Sequence, residues 1–136
     1  MIDDEAIAKL SEQVGVIEAN GVREAYLRFA LSLSDLIDAR LVPTGHGYIE
    51  RELRFYVSDD WYYAAVLSKN WVLFYFRWPA LRDGFVDATQ ICARFSEAEK
   101  TPAKDVKLRV TDLRSATQVC NFLAEVHRTR GIDSTA

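Results

Sequence analysis

Cysteine is scarce in this sequence: Cys92 and Cys120 are the only two, and both sit among apolar neighbours. Two cysteines in 136 residues make no disulfide framework, and with only two histidines, His46 and His127, they supply no zinc-ligand spacing. The six glycines are scattered, so no glycine-rich loop is present to cradle a phosphate. Long apolar runs are missing too. The longest, such as Trp71 to Phe76, are far short of a bilayer span. The opening residues Met1-Ile2-Asp3-Asp4-Glu5 lack the charged-then-apolar layout of a signal peptide. The expectation is a cytoplasmic protein with no cofactor, no metal and no membrane association.

No charge sign dominates either. The net charge is -3, which argues against a domain devoted to gripping nucleic-acid phosphates. The balance shifts along the chain: residues 1–76 carry 7 basic and 12 acidic side chains, and residues 77–132 carry 10 and 7. Hydrophobic residues make up 49% and charged residues 27%, a globular proportion at a length typical of one domain. The expected organisation is a single α+β domain over residues 1–128 with a polar, frayed tail at 129–136.

The first forty residues carry a helical period. Asp3 or Asp4 can cap a first helix with Ile7, Leu10, Val14 and Ile17 on one stripe. Asn20-Gly21 is a stop and restart signal. Val22, Tyr26, Phe29, Leu33, Leu36, Ile37 and Leu41 then continue the period until Pro43 and Gly45-His46-Gly47 end it. Two such helices joined so closely form an antiparallel hairpin.

The period then changes to two. Leu53, Phe55 and Val57 alternate with Glu52, Arg54 and Tyr56, and further β-rich runs cover Trp61 to Leu67 and Trp71 to Trp78. Turns of two or three residues at Ser58-Asp59-Asp60 and Ser68-Lys69-Asn70 leave room only for an antiparallel meander. Leu81 to Gly84 reads as a loop. Asp87 stands at an N-cap position before a helix through Phe95, although residues 86–96 also tolerate a strand. Residues 97–104 read as a surface loop, Val106 to Val110 as a short fourth strand, and Asp112 as the cap of a last helix. The predicted order is ααβββαβα: an N-terminal helical hairpin, a three-stranded antiparallel meander plus a fourth short strand, and a C-terminal helix, with helices covering one face of the sheet.

What the chain has in surplus is aromatic side chains in its middle. Ten of the sixteen, including all three tryptophans, lie between Phe55 and Trp78. Strict alternation places Val72, Phe74, Phe76 and Trp78 on one face and Trp71, Leu73, Tyr75 and Arg77 on the other. It also sets Trp61, Tyr63, Ala65 and Leu67 against Tyr62, Ala64 and Val66. Either helices cover both faces, or one aromatic face is left for a partner, and the second is the expectation. The candidate partner-binding residues are Trp61, Tyr63, Trp71, Tyr75 and Arg77. The partner is another protein or a second copy of this chain, as in a twofold homodimer.

Two other classes of function compete. In a nucleic-acid-associated protein, Tyr62, Trp71 or Tyr75 stacks on bases beside Arg51, Arg54, Arg77 and Arg82. Lys100, Lys104, Lys107, Arg109 and Arg114 then track phosphates. Glu50, Glu52, Asp59 and Asp60, and later Glu97, Glu99, Asp105 and Asp112, are interleaved and weaken that reading. In a small enzyme, His46 with Glu50 and Asp59 or Asp60 is the place for acid–base chemistry. Asp105 and Lys107, with Asp83 or Asp87 upstream, loosely match a nuclease metal site. Cys120 and His127 lie seven apart on one helix, about 10 Å along its axis, too far to hydrogen-bond directly. The favoured reading is a non-enzymatic interaction module of the inhibitor, adaptor or chaperone type, with no catalytic residue assigned.

Overall fold

In the computed structural model the described residues are Ala8, 20–36, 40–44, 52–57, 59–68 and 70–135, with side chains described within 21–33, 52–57, 59–68 and 70–128. The elements are α1 (Asn20–Leu36), β1 (Arg40–Thr44), β2 (Glu52–Val57), β3 (Asp60–Leu67), β4 (Val72–Phe76), α2 (Trp78–Arg82), α3 (Ala88–Arg94), β5 (Glu99–Lys100), β6 (Val106–Val110) and α4 (Leu113–Thr135). Six strands form one sheet in the order β1-β2-β3-β4-β6-β5, antiparallel at every pairing. The protein is a mixed α+β structure, as the change of hydrophobic period implies.

Alternation decides which side of the sheet is core. Leu53 and Phe55, Tyr63 and Ala65, Val72, Phe74 and Phe76, and Val106, Leu108 and Val110 are all buried on one face. Helices α1 and α4 pack side by side over it. Val22, Ala25, Tyr26, Phe29, Ala30 and Leu33 recur at helical spacing on α1, and Ala116, Val119, Cys120, Phe122 and Leu123 on α4. Phe29 stacks on Phe74 at 4.7 Å, and Phe76 meets Phe122 edge-on at 6.3 Å. Each large apolar side chain withdrawn from water in this way contributes about 1.5–3 kcal/mol. Gly21 seats the start of α1 against the end of β6, because a Cβ there would lie 2.8 Å from the Thr111 carbonyl oxygen.

Several boundaries differ from the sequence expectation. The helix read through Leu41 is described over Asn20–Leu36, and Arg40–Thr44 is instead the edge strand β1, with Pro43 opposite Leu53. Pro43 stops a helix, but it also fits an edge strand, where a missing N–H interrupts no ladder. The third meander strand stops at Phe76 rather than Trp78. Trp78 and Pro79 open the short helix α2, where proline suits the first turn, and Leu81 belongs to that helix rather than to a loop. The carboxylate of Asp105 accepts the Trp78 N–H at 2.7 Å.

Residues 88–94 are helical as α3, with Asp87 accepting from the N–H groups of Thr89 and Gln90 at 2.7 and 3.1 Å. The stretch read as a loop after Glu97 includes β5, two residues paired to β6, followed by a tight turn in which Lys104 has φ of 71°. The last helix continues through residues 129–135. The first helix of the expected hairpin lies outside the described residues, of which only the helical Ala8 precedes Asn20.

Candidate functional site

With α1 and α4 both on one face, the other face of the sheet carries no helix among the described residues. It is formed by Glu52, Arg54 and Tyr56 of β2, Ala64 and Val66 of β3, Leu73 and Tyr75 of β4, and Lys107 and Arg109 of β6. Trp71 and Arg77 flank β4 on the same side. Trp61 joins them through an irregularity in the ladder. Tyr56 is opposite Trp61 while Phe55 is opposite Tyr63, so Tyr62 is the extra residue of a β-bulge. The bulge reverses the alternation at one point. Trp61 turns to the open face and Tyr63 to the core.

Guanidinium groups lie on the indoles of this face. Arg54 and Arg77 stand 4.1 and 3.7 Å from the Trp61 ring centre, and Arg77 also donates to the Trp61 carbonyl at 2.9 Å. The Trp61 indole N–H donates to the Tyr63 carbonyl at 2.9 Å, which fixes the ring against the strand. Arg109 lies 4.5 Å from the Trp71 ring centre. Cation–π contacts of this kind are worth about 0.5–1 kcal/mol at exposed sites and hold the rings flat on the surface. The buried Trp71 Nε1 has no hydrogen-bond partner among the described residues.

Two of the four cations are neutralised within the face. Arg54 pairs with Glu52 at 3.2 Å, and Lys107 approaches Glu99 at 3.9 Å. Arg77 and Arg109 have no carboxylate partner among the described residues. A shallow cavity of about 290 Å³ opens at the β5 side of the face, lined by Leu73, Glu97, Glu99, Lys107 and Arg109.

A second polar cluster closes one end of the core. The Tyr63 hydroxyl meets His127 Nε2 at 2.5 Å, and the Tyr62 hydroxyl donates to Asp83 at 2.5 Å. The His127 ring stacks on Phe85 at 4.7 Å. Burial lowers the His127 pKa to about 4, so the imidazole is neutral at pH 7 and shares one hydrogen bond with the Tyr63 hydroxyl. Burial also pushes the Tyr63 hydroxyl well above its ordinary value, and burial with the Asp83 carboxylate does the same to Tyr62. These groups satisfy one another inside the fold.

Of the five residues read from sequence as partner-binding, Trp61, Trp71, Tyr75 and Arg77 share the open face. Tyr63 does not: it is fully buried against Phe74 and Phe76. Lys107 and Arg109 also lie on the open face, whereas Lys104 sits in the turn before β6 with its ammonium 5.1 Å from the exposed Trp78 ring. Arg54, Tyr56 and Leu73 complete the face; none was among the five partner-binding candidates, Arg54 having been named only beside the base-stacking aromatics, although their alternation with Leu53, Phe55 and Phe74 carried that signal.

His46, Glu50 and Arg51 lie outside the described residues. Asp60 is exposed and 3.9 Å from Arg82. The carboxylates of the loose nuclease pattern have other work: Asp83 bonds Tyr62 and Arg82, Asp87 caps α3, and Asp105 caps α2. Cys120 is buried with its thiol pushed up to about 12, and His127 is directed to Tyr63. No cluster of three or more metal-ligating side chains occurs among the described residues. No described helix is long and apolar enough to cross a membrane. No protein-family model matches the chain, and no curated protein or solved structure matches it.

Proposed function

We propose that this chain is a non-enzymatic protein-binding module, and that the open sheet face is its binding surface. One observation carries the reading. A single face of the sheet supplies the hydrophobic core, yet the opposite face still holds Trp61, Trp71, Tyr56, Tyr75 and Leu73 interleaved with four cations. Tryptophan, tyrosine and arginine are the side chains that carry most binding energy at protein interfaces. Cation–π packing holds these rings in place before a partner arrives, which reduces the ordering cost of association. The two free thiols, Cys92 and Cys120, suit a reducing compartment such as the cytoplasm. The occupant in this reading is a protein; a second copy of the chain is the homodimeric form of the same surface.

Base stacking is the second reading, and ring geometry counts against it. Guanidinium groups already lie on the Trp61 and Trp71 rings, so a base must displace an arginine to stack there. Tyr75 alone of the aromatic residues first singled out for stacking remains uncovered by a cation on this face.

A photo-crosslinking amino acid placed at Tyr75 and, separately, at the exposed Asn121 on α4 tests the proposal. In cells expressing the full chain, position 75 is expected to yield one discrete protein adduct that position 121 does not. Equal labelling from both positions, or none from 75, contradicts it. An adduct of twice the chain mass identifies the partner as a second copy.

A further inference from the structure

We infer that the partner enters as an extended acidic segment whose two carboxylates stand four residues apart with a large apolar residue midway, the pattern Asp/Glu-x-apolar-x-Asp/Glu. This rests on the open face being the binding surface and names the chemistry that surface selects.

Charge within the face comes first. Arg54 and Lys107 have Glu52 and Glu99 as counter-ions, whereas Arg77 and Arg109 have none among the described residues. Arg77 uses one N–H group on the Trp61 carbonyl, and among the described residues its side chain makes no other hydrogen bond. Arg109 is exposed and, among the described residues, makes no hydrogen bond or ion pair beside its contact with the Trp71 ring. A chain of net charge -3 thus presents, on its most aromatic surface, two guanidinium groups with no carboxylate partner among the described residues.

Spacing comes second. Arg109 is the cross-strand partner of Leu73, and Arg77 lies four residues beyond Leu73, in extended backbone just past the end of β4. At about 3.4 Å per residue the two backbone positions are about 14 Å apart. No small anion bridges that distance, so the ligand is a polymer with separated charges. An extended peptide lying along β4 turns its side chains i, i+2 and i+4 to the same side at the same rise. Carboxylates at i and i+4 then come within side-chain reach of Arg109 on β6 and of Arg77, whose guanidinium lies on Trp61. Residue i+2 falls on Tyr75, whose cross-strand neighbours are the small Ala64 and Lys107. The half-buried Tyr75 ring offers that residue its apolar contact. Glu97, which lines the cavity beside Arg109, opposes the carboxylate arriving there.

A random twelve-residue peptide display library selected against the full chain tests this. Enriched peptides are expected to carry Asp or Glu at positions n and n+4 with an aromatic or branched aliphatic residue at n+2. A synthetic copy of the most enriched peptide should lose affinity about tenfold with Arg109→Gln and again with Arg77→Gln. Affinity should be largely kept with Arg109→Lys and should rise with Glu97→Gln. Circular dichroism of each variant separates loss of binding from loss of fold. Arg109→Gln and Glu97→Gln alter exposed side chains outside the core, so they test the inference even where Arg77→Gln unfolds.

Peptides that need Tyr75 but lack the acidic pair overturn the inference and leave the binding face standing. Peptides indifferent to Tyr75→Ala, or no enrichment at all, count against both. A single-stranded oligothymidine that binds more tightly than any peptide, and is lost with the same arginine variants, overturns the inference in favour of phosphate.

Discussion

Phe74→Ala is expected to destabilise the protein by about 3–5 kcal/mol in urea unfolding, whereas Tyr75→Ala, one residue further along β4, is expected to cost about 1 kcal/mol. Phe74 has no exposed surface and touches Phe29 at 4.7 Å, Phe76 at 5.1 Å and Tyr63 at 6.1 Å. Truncation there removes the transfer free energy of the ring and leaves a cavity between sheet and helix that close packing cannot refill. A loss of that size is a large part of the stability of a domain of this length. Tyr75 points the other way and has no helix above it among the described residues. Its removal is expected to spare the fold and weaken partner binding by about 2 kcal/mol or more, the behaviour of an interface hot spot. Equal destabilisation by the two substitutions would mean that both faces are core.

Acid is expected to destabilise the protein through His127 in a pH range where carboxylates still matter little. The imidazole is held neutral, with its pKa lowered by burial from 6.5 to about 4. The unfolded chain therefore binds a proton that the folded chain refuses. Stability is complete above pH 6.5, declines as pH falls from there, and levels off below about pH 4, a total of about 3 kcal/mol. The groups facing the ring explain the direction. Tyr63 offers a hydroxyl, Tyr62 and Phe85 offer aromatic rings, and Asp83, the carboxylate of this cluster, is bonded by Tyr62 and Arg82. Nothing there welcomes an imidazolium. His127→Gln keeps an acceptor for the Tyr63 hydroxyl and does not titrate, so urea midpoints measured from pH 7 to pH 4 should flatten by about that amount. An unchanged slope would place the pH dependence elsewhere.

The meander and the core face were legible because turns of two or three residues leave one pairing mode and because Leu53/Phe55, Phe74/Phe76 and Leu108/Val110 alternate without interruption. The edge strand β1 was not. Leu41 and Val42 continue the helical stripe of α1 as readily as they fit a strand, and Pro43 is compatible with a helix end or a sheet edge. The β5 strand has only two residues, too few for any periodicity. The direction of Trp61 was hidden by the bulge at Tyr62, which shifts the register by one and reverses which aromatic is core. Alternation alone therefore placed Tyr63 with Trp61, when the two lie on opposite faces. The Tyr63–His127 hydrogen bond joins residues 64 positions apart and depends on α4 crossing the same face as α1, which no local pattern encodes. The pairing of Lys107 with Glu99 across β6 and β5 likewise needed the strand order, whereas that of Arg54 with Glu52, two apart on one strand, follows from alternation.

Hydroxyl-radical footprinting of the purified chain tests most directly whether one aromatic face is open. Modification is expected at Tyr75, Trp71 and Trp61, with Tyr63, Phe74 and Phe29 protected until urea unfolds the protein. Protection of Tyr75 and Trp71 equal to that of Tyr63 in the monomer would show the second face to be covered by the chain itself, and would contradict the account of a sheet with one face left for a partner.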